Sequence, residues 1–154
     1  MIERRDFADR AELAKALADA VADNLRAGLS ERGRASIAVS GGSTPAKFFG
    51  QLGKKKDIEW DNVTVTLVDE RWVPETSDRS NAGLVNEKML QGPAAIAKFV
   101  PLYTGGDEPD ATGIAKTIAN IAGAYDLHEV RFSNLSSSFI FTRLFSVTDR
   151  KRSA

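Results

Sequence analysis

The chain of 154 residues is long enough for one domain, and its 42% hydrophobic and 27% charged residues are typical of a globular protein. Lys and Arg total 21, as do Asp and Glu, so net charge gives no reason to expect nucleic acid or an anionic membrane as a partner. Cysteine is absent and histidine occurs once, which excludes disulfides, thiol nucleophiles and a histidine-rich metal site.

Hydropathy along the chain favours a cytoplasmic location. The residues after Met1 lack the apolar run of a signal peptide. No stretch approaches the ~20 apolar residues that a membrane span requires. We therefore expect a cytoplasmic protein that binds neither a membrane nor nucleic acid.

The first predicted element is a helix over residues 9–29. Its apolar side chains recur every four residues, at Leu13, Leu17, Val21 and Leu25. Asp9 followed by Glu12 fits a capping box at the helix start. Gly28 or Gly33 lies where the helix should end.

Strands and helices alternate after this helix. Residues 35–39 are a short apolar run that predicts a strand. Residues 63–68 are rich in β-branched residues and almost continuously apolar, which predicts a strand covered on both faces, and residues 99–102 predict a short third strand. Helical patterns follow in the segment with Phe48, Phe49 and Leu52, and in residues 81–90 and 111–124. This order predicts an α/β fold, with a Rossmann-like, mostly parallel sheet and helices on both faces.

The first candidate site is the turn Ser-Gly-Gly-Ser-Thr-Pro that follows the first of these strands. Gly41 and Gly42 permit positive φ and let a ligand approach the backbone. Ser43 or Thr44 is expected to cap the next helix, with Pro45 in its first turn. The unpaired N–H groups and the helix dipole favour a bound phosphate. The alternative is a tight turn that only caps a helix.

The second candidate site is Asp69-Glu70-Arg71, at the carboxyl end of the next strand. Open parallel sheets bind ligands beyond this edge. The planar guanidinium of Arg71 suits phosphate, and Asp69 could accept hydrogen bonds from sugar hydroxyls or orient Arg71. The alternative is a surface ion pair that closes a loop. A phosphate held between the two strand ends explains both motifs together.

Three motifs together resemble the 6-phosphogluconolactonase family. They are Ser40-Gly41-Gly42-Ser43-Thr44-Pro45, Asp69-Glu70-Arg71-Trp72-Val73-Pro74 and Ser80-Asn81. The resemblance covers about residues 5–127. The related glucosamine-6-phosphate deaminases share the fold, but their second motif typically reads Asp-Glu-Tyr. Arg71 therefore favours the lactonase branch over a deaminase-like isomerase.

The resemblance implies hydrolysis of 6-phosphogluconolactone to 6-phosphogluconate in the pentose phosphate pathway, without a metal or organic cofactor. It implies a small-molecule sugar phosphate as partner, with Arg71 on the phosphate and Asp69 near the sugar. The glycine turn would line the same site with Gly41, Gly42, Ser43 and Thr44. The resemblance leaves open whether Ser80 and Asn81 contact the ligand or shape the loop.

The sequence departs from the family after residue 127. Family members continue with a loop reading Gly-Met-Gly-x-Asp-Gly-His-Thr-Ala-Ser, whose histidine is the expected general base. This sequence has no such loop and no glycine after Gly123. We expect its lone histidine, His128, to be a surface or loop residue. We therefore predict a partial lactonase-like domain over residues 1–127 and a non-homologous tail over residues 128–154, such as a reading-frame change would produce.

Two consequences follow from the missing part of the family fold. The catalytic residues stay unassigned, so hydrolysis and a non-catalytic sugar-phosphate-binding remnant are both open hypotheses, beside the deaminase-like isomerase. A shortened sheet also leaves an unpaired edge, which predicts self-association.

Overall fold

A computed structural model describes residues 3–108, 110–113, 115, 127–130 and 138–141. For residues 3–4, 127–130 and 138–141 we describe the backbone only. The strands in this part of the chain are β1 (Glu3–Asp6), β2 (Ala35–Val39), β3 (Val63–Leu67), β4 (Lys98–Val100), β5 (Leu127–Val130) and β6 (Ser138–Phe141). The α-helices are α1 (Arg10–Arg32), α2 (Ala46–Leu52) and α3 (Asn81–Lys88).

Among the described residues, the main sheet has four strands in the order β4-β3-β2-β5. All three pairings are parallel, which confirms the predicted α/β fold with a parallel sheet. Strands β2 and β3 are in register over their whole length, from Ala35 opposite Val63 to Val39 opposite Leu67. A separate antiparallel pair joins β1 to β6.

Strand β2 lies at the centre of the core. All five of its residues are buried, and because successive side chains point to opposite faces, both faces of the strand are covered. Strand β3 is buried at four of its five positions. The predicted strand, residues 63–68, is one residue longer than β3, because Val68 lies beyond the end of β3 and is 38% exposed.

The N-cap of helix α1 is Asp9, as predicted, and its Oδ1 accepts hydrogen bonds from the N–H groups of Ala11 (2.7 Å) and Glu12 (2.8 Å). Oε2 of Glu12 accepts from the Ala8 N–H at 2.9 Å, one residue before the capping-box donor. The helix ends at Gly33, which has a φ of 69° and donates its N–H to Leu29. The buried stripe includes all four predicted positions: Leu13, Leu17, Val21 and Leu25.

Helix α2 starts differently from the prediction. The residue at its N-cap is Pro45, and no side chain caps the helix, so the expected cap from Ser43 or Thr44 is wrong. The physical reason is that the N-cap position is occupied by Pro45, whose apolar ring has no hydrogen-bond acceptor. Phe48, Phe49 and Leu52 are buried as predicted.

The remaining predicted elements agree in position but differ at their ends. Helix α3 is two residues shorter than residues 81–90, and β4 starts one residue before the predicted 99–102 and ends two residues earlier. Of the helix predicted over 111–124, residues 111–113 and 115 are helical, and the others lie outside the described residues. None of the helices in the described part of the chain has the length and apolar character needed to cross a membrane.

The predicted domain boundary falls inside β5. All four residues of β5 pair with β2, from Ser36 opposite Leu127 to Val39 opposite Val130. Strand β6, in the predicted tail, pairs with β1 near the start of the chain. Two segments at or beyond the boundary thus pair with the body of the protein, while the non-homologous origin of residues 128–154 stays a prediction.

Candidate functional site

The two predicted motifs leave the sheet side by side. Val39 and Leu67, the last residues of β2 and β3, are partners in the parallel ladder. The pairing extends one step further, because the N–H of Val68 donates to the carbonyl oxygen of Val39 at 3.0 Å. The glycine turn and the Asp-Glu-Arg motif therefore start from neighbouring points on the carboxyl edge of the sheet, where parallel sheets bind ligands.

Glu70 fixes the second motif to the start of α3. Its Oε1 accepts hydrogen bonds from the N–H groups of Arg71 and Asn81, both at 2.8 Å. Its Oε2 accepts from the Ala82 N–H at 2.7 Å and from Oγ of Ser80 at 3.2 Å. The carboxylate thus satisfies N–H groups that a helix start leaves unpaired and lies at the positive end of the helix dipole. Glu70 is an anchor of the loop.

Ser80 is the N-cap of α3. Its Oγ accepts a hydrogen bond from the Gly83 N–H at 3.1 Å while its hydroxyl donates to Glu70. Ser80 is 5% exposed, so its hydroxyl is committed to these contacts. The role that the sequence left open for Ser80 is therefore to shape the junction between the loop and the helix.

Asn81 contacts both motifs. Its side-chain Oδ1 accepts a hydrogen bond from Nη1 of Arg71 at 2.5 Å. Its Nδ2 donates to the backbone oxygen of Asp69 at 2.9 Å and lies 3.4 Å from the Oδ2 atom of the same residue. A Cβ added to Gly41 would lie 1.8 Å from Asn81 Oδ1, so the glycine turn packs directly on the amide. One buried side chain, 2% exposed, joins the two strand ends.

Arg71 is exposed and is held by oxygen atoms that carry no formal charge. Besides Asn81, its Nη1 approaches the backbone oxygen of Arg79 at 3.4 Å. Within the described residues Arg71 has no carboxylate partner, so neither the surface ion pair nor orientation by the Asp69 carboxylate is observed. A guanidinium has five N–H donors. The hydrogen bonds to described residues use Nη1, which leaves Nη2 and Nε for a ligand.

The glycine turn presents backbone to solvent. Gly42 has a φ of 100°, a conformation that favours glycine, and a Cβ there would meet nothing within 4 Å. Ser43 and Thr44 are exposed. The backbone N–H groups of residues 41–44 donate no hydrogen bond to any described residue, so they are available to an anion.

The structure thus brings Gly41, Asp69 and Arg71 together around Asn81, with Gly42 and the two hydroxyl residues on the adjoining turn. The structural roles of Glu70 and Asn81 were not predicted from the sequence. Ser80-Asn81 was visible as a motif, but its partners belong to a different segment of the chain. No local pattern indicates that contact.

His128, expected as a surface or loop residue, lies in strand β5, where its Cα is opposite that of Ile37; it is therefore not in a loop, and the exposure of its side chain lies outside what the structure describes. Among the described residues, no group of acidic or histidine side chains is arranged to hold a metal ion. Trp72 of the second motif packs edge-on against Tyr103, with ring centroids 5.1 Å apart. This contact links the loop after β3 to the loop after β4.

Residues 8–135 match the model of a protein family described as "Glucosamine-6-phosphate isomerases/6-phosphogluconolactonase". The chain belongs to this family. The match includes every candidate site residue and continues past the predicted boundary at residue 127 through β5.

The relatives are lactonases by name. The 6-phosphogluconolactonase of Mesorhizobium japonicum is 54% identical over 114 residues, covering 74% of this chain and 45% of the relative. That of Rhizobium meliloti is 50% identical over 105 residues, covering 68% and 45%. A crystal structure of a 6-phosphogluconolactonase from Shewanella baltica has a TM-score of 0.71 and 39% identity, covering 75% of this chain and 49% of that one. The chain spans a little under half the length of these relatives.

Proposed function

We propose that the shared edge of β2 and β3 binds the phosphate of 6-phosphogluconolactone, and that the site serves hydrolysis of this lactone to 6-phosphogluconate. The observation that carries the proposal is the contact of Asn81 with both the glycine turn and Arg71. The relatives named 6-phosphogluconolactonase support this substrate over an amino sugar phosphate. The setting would be the cytoplasmic pentose phosphate pathway, with no metal or organic cofactor.

The phosphate would be held by two kinds of donor. Residues 41–44 offer backbone N–H groups that have no partner among the described residues, and Arg71 offers the N–H groups of Nη2 and Nε. Charge-assisted bonds from a planar guanidinium are short and geometrically specific for phosphate oxygens. The Asp69 carboxylate would accept hydrogen bonds from sugar hydroxyls, and Ser43 and Thr44 would add hydroxyl groups at the rim.

The second candidate function is binding of the same sugar phosphate without hydrolysis. It is favoured by the position of the single histidine of the chain, His128, in strand β5 of the sheet. A general base must come within about 3 Å of the water that it activates. The glycine-rich histidine loop that the family resemblance implies is not present in this sequence.

Replacing Arg71 with alanine tests the phosphate site. We expect Arg71→Ala to weaken 6-phosphogluconate binding about 10- to 100-fold, measured by isothermal titration calorimetry, because a charge-assisted pair of hydrogen bonds is lost. Arg34→Ala is the matched control, since Arg34 is also exposed but precedes β2 at the opposite end of the strand. Equal affinity in Arg71→Ala and the unaltered chain would show that the phosphate is bound elsewhere.

A lactonase assay separates the two candidate functions. The rate of 6-phosphogluconolactone hydrolysis is compared with the spontaneous rate, in parallel with 6-phosphogluconate binding. Acceleration that is lost in Arg71→Ala supports hydrolysis at this site. Binding with no acceleration identifies the second candidate.

A further inference from the structure

We infer that Asn81 is a positioning residue, which holds Arg71 and the glycine turn at fixed places so that one phosphate contacts both. The inference rests on the proposed function, because it takes Arg71 as the phosphate ligand. Asn81 itself would not contact the substrate. It would act through the guanidinium and through the turn backbone.

The chemistry of the amide suits this role. A guanidinium can only donate and the Asp69 backbone oxygen can only accept, so the partners fix which end of the Asn81 side chain faces each of them. A carboxylate could not donate to Asp69, and an aliphatic side chain could bind neither partner. The carboxamide serves both neighbours at 2.5 Å and 2.9 Å.

The surroundings of Asn81 make it a rigid support. The side chain is 2% exposed, and its backbone N–H is bound by Glu70 at 2.8 Å. The preceding residue, Ser80, is the helix cap. Arg71, in contrast, is exposed, and an exposed arginine samples many rotamers unless a neighbour restrains it. Restraint before the ligand arrives lowers the entropy that binding must remove.

The glycine turn is positioned by the same amide. A Cβ on Gly41 would lie 1.8 Å from Oδ1 and 1.9 Å from Cγ of Asn81, so only a glycine backbone can approach this closely. A shift of the amide would therefore move its contacts with both strand ends. We therefore infer that Asn81 holds Arg71 and the glycine turn in place, and does not only stabilise α3.

A double-mutant cycle between Asn81→Ala and Arg71→Ala tests the inference. We expect Asn81→Ala to weaken 6-phosphogluconate binding about tenfold, and to have a clearly smaller effect once Arg71 is alanine, because only the contact of Asn81 with the glycine turn then remains to be lost. A merely structural role would weaken binding by the same factor in both backgrounds. Asn86→Ala is the matched control, since Asn86 is on the same helix and bonds to Glu75.

The outcomes distinguish the inference from the proposed function. If the unaltered chain does not bind 6-phosphogluconate, or Arg71→Ala binds equally well, the proposed function fails and the inference with it. If Arg71→Ala weakens binding but Asn81→Ala does not, or the two effects multiply fully, the inference alone is overturned.

A second variant keeps the test valid if Asn81→Ala does not fold. Asn81→Asp has nearly the same shape, but it cannot donate to Asp69 and it places a negative charge against the guanidinium of Arg71. We expect it to weaken 6-phosphogluconate binding at least about tenfold, since a carboxylate there competes with phosphate for the guanidinium. Binding as tight as in the unaltered chain would overturn the inference.

Discussion

Gly41 and Gly42 are adjacent residues with different steric surroundings. A Cβ on Gly41 would collide with the Asn81 amide, at 1.8 Å from Oδ1, while a Cβ on Gly42 would meet nothing within 4 Å. Gly42 instead has a φ of 100°, which L side chains rarely adopt. Crowding restricts the first position, and backbone conformation restricts the second.

The two glycines therefore predict different mutational effects. We expect Gly41→Ala to lower the free energy of unfolding by about 1–3 kcal/mol, as overpacking does, and to weaken 6-phosphogluconate binding by displacing Asn81. Gly42→Ala should cost about 1–2 kcal/mol through its positive φ, with a smaller effect on binding. Urea denaturation and calorimetry measure both quantities.

The control for Gly41→Ala is the same change made in a chain that already carries Asn81→Ala. All three atoms nearest to the added Cβ belong to the amide group that this change deletes. Gly41→Ala should therefore destabilise the Asn81→Ala chain less than the unaltered chain. Equal destabilisation in the two backgrounds would show that the collision is not the cause.

The start of α3 organises the site at the level of secondary structure. Glu70, ahead of the helix in the chain, accepts hydrogen bonds from the N–H groups of Asn81 and Ala82, and the cap residue Ser80 donates to the same carboxylate. These contacts fix the loop after β3 to the helix that carries Asn81. The position of Arg71 therefore depends on the hydrogen bonds between Glu70 and the first residues of α3.

Helix α1 depends on its cap in a way that varies with pH. The N–H groups of Glu12 and Ala11 lower the pKa of Asp9 below its ordinary value of 3.8, since both bonds favour the ionised carboxylate. A lowered folded-state pKa contributes stability that is present above the unfolded-state value and is lost as pH falls through the folded-state value. We expect Asp9→Ala to melt at a lower temperature than the unaltered chain at pH 7, with a difference that shrinks below about pH 4.

Thermal denaturation followed by circular dichroism at several pH values checks this expectation. Asp107→Ala is the matched control, because Asp107 is exposed in a loop and accepts no hydrogen bond from the described residues. A melting difference for Asp9→Ala that stays constant from pH 7 to pH 3 would contradict the role of the ionised cap.

At the scale of the whole molecule, strand β2 has a neighbouring strand on each edge. It pairs with β3 on one edge and with β5 on the other, and every one of its residues is buried. Removing β5 would turn a fully buried strand into an edge strand. Such edges lose hydrogen bonds and promote association with other chains.

Two shortened chains test the predicted domain boundary. A chain of residues 1–127 keeps only the first residue of β5, whereas one of residues 1–137 keeps all of β5 and lacks β6. We expect the shorter chain to melt lower by roughly 10 °C, because about 2–4 kcal/mol of hydrogen bonding to β2 is lost. Analytical ultracentrifugation should also show more self-association. Equal melting temperatures would support a domain that ends at residue 127.

Local sequence patterns predicted much of the fold. The bounds of β2 were predicted to the residue, because a continuous apolar segment ends where the glycine turn begins. The start of α1 at Asp9 and its end at Gly33 depend on capping contacts within a few residues. The cap of α2 was predicted wrongly, because Pro45, which has no side-chain acceptor, occupies the N-cap in place of Ser43 or Thr44.

The sequence by itself determined the alternation of strands and helices, the motifs and the family to which the chain belongs. Those features depend on short-range periodicity and on residue identity, which are visible in one dimension. Only the tertiary structure decided that the Asn81 amide joins the turn at Gly41 to the guanidinium of Arg71. These three residues lie on separate segments, and a hydrogen bond between segments requires the parallel sheet to bring the strand ends together.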